Sequence, residues 1–192
     1  MIGDKVIPKP HHTAAAEGVF AILKDKVDGK RAAITIAGES GAGKSEIAVE
    51  LARLFKNDGR RPLIFQQDDY FFLPPKSNAA ARRKNIKHVG LGEVNLALLD
   101  EHTRLFKFAP GETIEKPLVV FEEDRISRET VVLSDYDMLI SEGTYTTLVS
   151  HGDYHVFIDK SYQETLSHRK DRARDELDDF SERILEIEHG II

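Results

Sequence analysis

The sequence predicts an α/β fold, a three-layer α/β/α sandwich around a mostly parallel sheet. Three observations lead there. Residues 32–37 (AAITIA), 63–65, 138–140 and 156–158 are short apolar runs with the composition of strands buried on both faces. The segments between them place apolar residues at helical spacing. Strands that alternate with helices in this way are parallel and covered on both sides.

The elements follow in order. Pro8 and Pro10 mark an extended arm. Thr13 is placed to cap a first helix with Val19, Phe20, Ile22 and Leu23 on its apolar side, and Asp28-Gly29 ends it. Residues 1–30 are thus expected as an arm and helix packed on a domain formed by 31–192. After the first strand, Ile47, Ala48, Leu51, Leu54 and Phe55 repeat at helical spacing from Lys44 onward, and Asn57-Asp58-Gly59 stops the helix. Residues 68–92 show no periodicity; they hold Pro74-Pro75 and the basic stretch ARRKNIKH (81–88) and are expected as one long loop, functional or mobile. Helical spacing returns at Val94, Leu96, Leu98, Leu99, Leu105 and Phe106, until Pro110-Gly111 breaks it. Residues 117–121 and 130–133 are expected to pair as a short β excursion. Ser161 and Glu164 fit a capping box that opens a helix through HRKDRAR (168–174), and a last helix is expected over about 179–189. Ile191-Ile192 after Gly190 sits where a further strand would suit so small a sheet.

With 192 residues the chain has the size of one domain, and 41% hydrophobic against 31% charged residues is the balance of a globular protein. A net charge of −6 does not supply the basic field that nucleic acid requires. The chain has no cysteine, which excludes thiolate catalysis and Cys-held metals. No apolar run approaches the roughly 20 residues of a membrane helix, and the opening MIGDKVIPKPHH lacks a secretory core. The expectation is a cytoplasmic protein with no nucleic-acid or membrane partner. An oligomer is compatible with the composition, and no pattern specifies one.

Gly38-Glu39-Ser40-Gly41-Ala42-Gly43-Lys44-Ser45 matches G-x-x-x-x-G-K-[ST], between a predicted strand and a predicted helix. Its glycines let successive N–H groups point at nucleotide phosphates from the positive end of the helix. Lys44 reaches the β- and γ-phosphates in this arrangement, and the Ser45 hydroxyl ligates Mg²⁺. The fold is therefore expected to be a P-loop NTPase sandwich that binds a nucleoside triphosphate with Mg²⁺. Asp68 and Asp69 in QQDDYF (66–71) follow the second strand, where ligands sit in parallel sheets. A carboxylate there can accept a proton from an attacking hydroxyl and hold Mg²⁺ through water. Glu142, after the run 138–140, is placed to order the metal. Arg169, Lys170, Arg172 and Arg174 supply cations suited to a transferring phosphoryl group, although alternation with Asp171, Asp175 and Glu176 also fits a solvated face. The histidines show no metal-binding spacing.

These stretches resemble the phosphoribulokinase/uridine kinase family of P-loop kinases over about residues 31–189. The resemblance rests on GESGAGKS (38–45), QDDYF (67–71), NLALLDEH (95–102), LISEGTY (139–145), VFIDKSYQETLSHR (156–169) and RARDELDDF (172–180). It implies Asp68 as the base for the acceptor hydroxyl and Glu142 as a group near Mg²⁺. It also implies Arg169, Arg172 and Arg174 in a short helical lid, about 165–178, over the phosphates. The family's nucleoside-holding stretches are replaced here by His88-Val89-Gly90-Leu91 and by residues 117–125, with Leu118-Val119 and Glu123 at the key places.

The resemblance implies a kinase that uses ATP to phosphorylate a hydroxyl of a small molecule, a nucleoside or related sugar alcohol. An NTP-binding or hydrolysing regulatory module without an acceptor is the alternative. The replaced stretches predict that uridine and cytidine are poor acceptors. Acidic residues at 122–124 and basic residues at 82–87 hint at an acceptor that carries charge.

Overall fold

The computed structural model describes residues 1–3, 6–165 and 178–192. Four parallel strands form the central sheet: β1 (Ala32–Gly38), β2 (Pro62–Gln66), β5 (Met138–Glu142) and β6 (Tyr154–Ile158), in the order β2-β5-β1-β6. Between β2 and β5, β3 (Thr113–Val120) and β4 (Arg125–Val132) pair as an antiparallel hairpin, with Pro117 opposite Arg128. The hairpin begins earlier in β3 and in β4 than the apolar stretches alone predict.

Strand alternation gives the sheet its two cores. Ala32, Ile34, Ile36, Met138 and Ile140 face α1 (Pro10–Val27) and α2 (Lys44–Asn57). Ala33, Leu63, Phe65 and Leu139 face α4 (Leu96–Phe108) through Leu99 and Phe106. These faces and helices make the three layers of the P-loop α/β fold. In the first core α1 lies along α2, where Phe20 meets Phe55 edge-to-face with ring centroids 5.0 Å apart.

Two helices depart from the sequence expectation. Helix α1 starts at Pro10 rather than behind Thr13. Proline suits the first helical position because its φ is preset and the missing N–H has no partner to lose there. The His12 ring, one turn in, accepts the Lys9 N–H at 3.1 Å. Residues 68–92, expected as loop, contain α3 (Pro75–Lys84). Its cap comes from far along the chain: Asp124, at the tip of the β3–β4 hairpin, accepts the N–H groups of Lys76 at 2.6 Å and Ser77 at 3.1 Å. Helix α4 begins at Leu96, with the Asn95 side chain accepting the Leu98 N–H at 3.1 Å. Helix α5 (Asp179–His189) matches the expected last helix. The capping pair also forms, the Ser161 N–H donating to Glu164 at 2.9 Å. The lid expected beyond it, with Arg169, Arg172 and Arg174, lies outside the described residues. No helix among the described residues is long and apolar enough to cross a membrane.

Candidate active site

β1, β2 and β5 run parallel, so their carboxyl ends meet at one edge of the sheet, and the segments that leave them build the site. The loop 38–45 leaves β1. Gly43 adopts φ 91°, and a Cβ there would lie 2.6 Å from His12 Nε2, so α1 abuts the loop at a point only glycine can occupy. Lys44 Nζ donates to the Glu39 carbonyl at 2.9 Å, inside the loop's own curve. Ser45 stands in the first turn of α2, where backbone amides present positive charge.

Glu142 ends β5 and is buried, and Ser45 Oγ donates to its Oε1 at 2.9 Å. Burial first, and then the nearby charge of Asp68, push the Glu142 carboxyl up to about 7. Lys44 and hydrogen bonds from Ser45 and Gln66 pull the other way. Asp68 therefore faces Glu142. A hydroxyl and two opposed carboxylates are hard oxygen donors, and a cation between them would relieve their repulsion. That set fits Mg²⁺ whose remaining positions are filled by phosphate oxygens and water.

Chain geometry separates the adjacent aspartates. Residues 67–70 form a single 3₁₀ turn after β2. Asp68 lines the cavity. Asp69 points into the hairpin, where Val119 N–H donates to it at 2.9 Å and Lys116 Nζ at 3.0 Å. The turn is locked to β5: Gln67 Oε1 accepts the Tyr145 N–H at 2.7 Å, and a Cβ on Gly143 would lie 2.2 Å from Gln67 Cβ.

A cavity of about 650 Å³ runs from Ser40, Lys44 and Ser45 past Asp68 and Glu142 to α3 and α5. Its wall also carries a polar cluster. Arg82 on α3 makes a two-pronged bond to the buried Glu93 and reaches Glu188 on α5 at 3.1 Å. Asn78 donates to Glu93 at 2.7 Å, as does the Gly90 N–H at 2.7 Å. Beside this cluster lies Tyr145, 1% exposed, whose hydroxyl has no hydrogen-bond partner among the described residues. Phe71, Phe180 and Leu185 supply apolar wall. The far end of α5 returns to the phosphate loop, where His189 Nδ1 lies 2.5 Å from Glu39 Oε1.

The structure thus brings Lys44, Ser45, Asp68 and Glu142 together around the loop of Gly38, Glu39, Ser40, Gly41, Ala42 and Gly43. It does not bring Glu122, Glu123 or Asp124 to the cavity wall. Asp124 is spent capping α3, and Glu123 pairs with Arg125 at 2.8 Å. Arg82 and Arg83 do line the cavity, yet Arg82 is held by two carboxylates and Arg83 by Asp178 at 3.1 Å. The stretches 88–91 and 118–119 serve structure instead: the His88 ring bonds Asn78 at 3.0 Å, and Val119 holds Asp69. Sequence reasoning missed Tyr145, Glu93 and Glu188. Glu188 had a signal, since it falls four residues after Ile184 on the apolar stripe of α5, where a carboxylate is out of place.

The model of the phosphoribulokinase/uridine kinase family matches residues 33–183. The chain is similar to the bifunctional α-galactosidase/sucrose kinase AgaSK of Mediterraneibacter gnavus, with 31% identity over 82% of this chain and 18% of that one. It is similar also to the uridine kinase of Clostridium novyi, with 33% identity over 57% of this chain and 50% of that one. The chain therefore spans half or less of the length of these two relatives. Among solved structures, a possible uridine kinase from Bacillus stearothermophilus shares the fold, with a TM-score of 0.61 and 21% identity over 93% of this chain and 95% of that one. A phosphate loop opposite two strand-end carboxylates and a family match across most of the chain lead to one conclusion: this chain belongs to the phosphoribulokinase/uridine kinase family.

Proposed function

We propose that the protein transfers the γ-phosphoryl group of ATP to a hydroxyl of a small molecule, with Mg²⁺. One observation carries this reading. The carboxylate of Asp68 lines a chamber that the phosphate loop shares with α3 and α5. A hydrolase or nucleotide switch needs no such chamber, whereas a kinase needs room for its acceptor beside the phosphates.

In this reading the loop amides and Lys44 bind the β- and γ-phosphates. Asp68 takes the proton of the acceptor hydroxyl as its oxygen attacks the γ-phosphorus. The bond from that phosphorus to the β–γ bridging oxygen breaks, and ADP leaves. Ser45 and Glu142 would hold Mg²⁺, which would supply positive charge to the transferring group. Arg169, Arg172 and Arg174 are assigned to the same charge on the sequence resemblance alone.

The relatives named above act on sucrose and on uridine, which brackets the acceptor between a sugar and a nucleoside. Uridine is expected to be poor, because the stretches that replace the family's nucleoside motifs do not line the cavity. The test is ADP release with and without a panel of hydroxylated acceptors. Turnover that requires an acceptor supports the kinase. Equal ATP hydrolysis with and without every acceptor points to the regulatory NTPase and overturns the proposal.

A further inference from the structure

The chamber beyond Asp68 has a chemistry of its own. Its cation, Arg82, faces two carboxylates, Glu93 and Glu188. The other basic residues at its rim are turned to protein partners: Arg83 to Asp178, and Lys76 Nζ to the Glu122 carbonyl at 3.0 Å. A phosphate on the acceptor would have to compete with these protein partners for every one of the three cations. What the wall does offer is hydroxyl chemistry. Tyr145 presents a buried hydroxyl with no partner among the described residues, beside the Arg82–Glu188 pair. A buried hydroxyl left unmatched destabilises the empty site, and a ligand hydroxyl that meets it removes that penalty. Phe71 and Phe180 add aromatic faces, with the Arg83 guanidinium 5.0 Å from the Phe180 ring centre. Aromatic faces beside fixed donors and acceptors suit a ring with C–H groups on its faces and hydroxyls around its edge. A pyrimidine would instead need matched partners for its imide or amine edge.

From this juxtaposition we infer that the acceptor is a neutral saccharide, selected by Tyr145 and by Glu188 that Arg82 holds in place. The inference rests on the kinase reading of the same cavity. It names Tyr145 and Glu188 as specificity determinants, since both line the cavity and each carries a group that can bond a sugar hydroxyl.

The test uses the whole chain with four acceptors: a hexose, a disaccharide, uridine and a pentose phosphate. ADP release gives kcat/KM for each, and calorimetry gives ATP affinity. Tyr145→Phe removes one oxygen and keeps the buried ring, so the fold persists, which a melting temperature verifies. The best saccharide is expected to exceed uridine and the pentose phosphate by at least about tenfold in kcat/KM, the usual scale of one or two matched hydrogen bonds. In Tyr145→Phe its KM should rise about tenfold while ATP affinity and the KM for ATP stay unchanged. Glu188→Gln should weaken saccharide use in the same direction. Vigorous use of uridine or the pentose phosphate in preference to both sugars overturns the saccharide and leaves the kinase standing. ATP turnover indifferent to all four acceptors overturns both. A saccharide KM unmoved by Tyr145→Phe overturns the role of Tyr145.

Discussion

At the scale of single residues, Asp68 and Asp69 have the same side chain in opposite surroundings, so equivalent substitutions should have unlike effects. Asp68→Asn keeps shape but cannot take a proton. ATP binding and melting temperature should hold while phosphoryl transfer falls about 10²–10⁴-fold. Asp69→Asn takes a carboxylate from the buried Lys116, which is 4% exposed and keeps Glu129 at 3.0 Å. Breaking a buried pair from one side costs about 3–5 kcal/mol, so this variant should show its defect in denaturant titration. If Asp69→Asn instead stops transfer in a well-folded protein, the roles are reversed. Glu142 behaves differently again. Its carboxyl is raised to about 7, so the folded state holds that proton more tightly than the unfolded chain. The stability this gives is present below the ordinary carboxylate range and lost as pH rises through about 7. Glu142→Gln should therefore stabilise the nucleotide-free protein at pH 8, by on the order of 1–3 kcal/mol, while it lowers transfer. An unchanged or lower melting temperature at pH 8 would count against a strained carboxylate there.

Elements were legible in the sequence where their causes are local. The four core strands, α2 and α5 carry their own apolar patterns and stops, and the loop 38–45 carries its own chemistry. Helix α3 was not legible, because its cap is Asp124 from the hairpin tip and its cavity side is polar through Asn78 and Arg82. The far wall of the site stayed hidden for the same reason: Glu93, Arg82 and Glu188 come from three elements that only the fold brings together. Helix α5 also exposes a weak point. Asp178 caps it by accepting the Ser181 N–H at 2.8 Å and also pairs with Arg83. The bonds to Ser181, assisted by Arg83, hold the Asp178 carboxyl down at about 2. Its contribution is present above the ordinary aspartate range and lost as pH falls through about 2. The start of α5 should therefore loosen in acid before the sheet does. Hydrogen exchange should report earlier opening at Ser181 and Glu182 than in β1. At neutral pH, Asp178→Ala should raise the KM for acceptor more than the KM for ATP, since α5 walls the acceptor end. Equal effects on both would place α5 elsewhere in the mechanism.

For the whole molecule, the alternation of strands with helices predicted two covered faces, and the structure has them. The order of strands was beyond any local reading, since it depends on which strands pair, and pairing partners lie far apart in sequence. β1 shows how far. Its Ala32 stands beside Met138 in β5, and its Ile34 beside Tyr154 in β6. The strand that carries the phosphate loop thus emerges among the first elements made, yet both its neighbours arrive more than a hundred residues later. Pairings so remote in sequence slow folding, because loop entropy is lost before the contacts that reward it form. Until β6 is in place, the run AAITIA remains an unsatisfied edge, open to pairing with other chains. Nucleotide-binding competence should accordingly appear in the slowest refolding phase, after helical signal has returned, as followed by stopped-flow with a fluorescent ATP analogue. Binding that returns together with the first helical signal would mean that the loop takes shape before its strand is flanked.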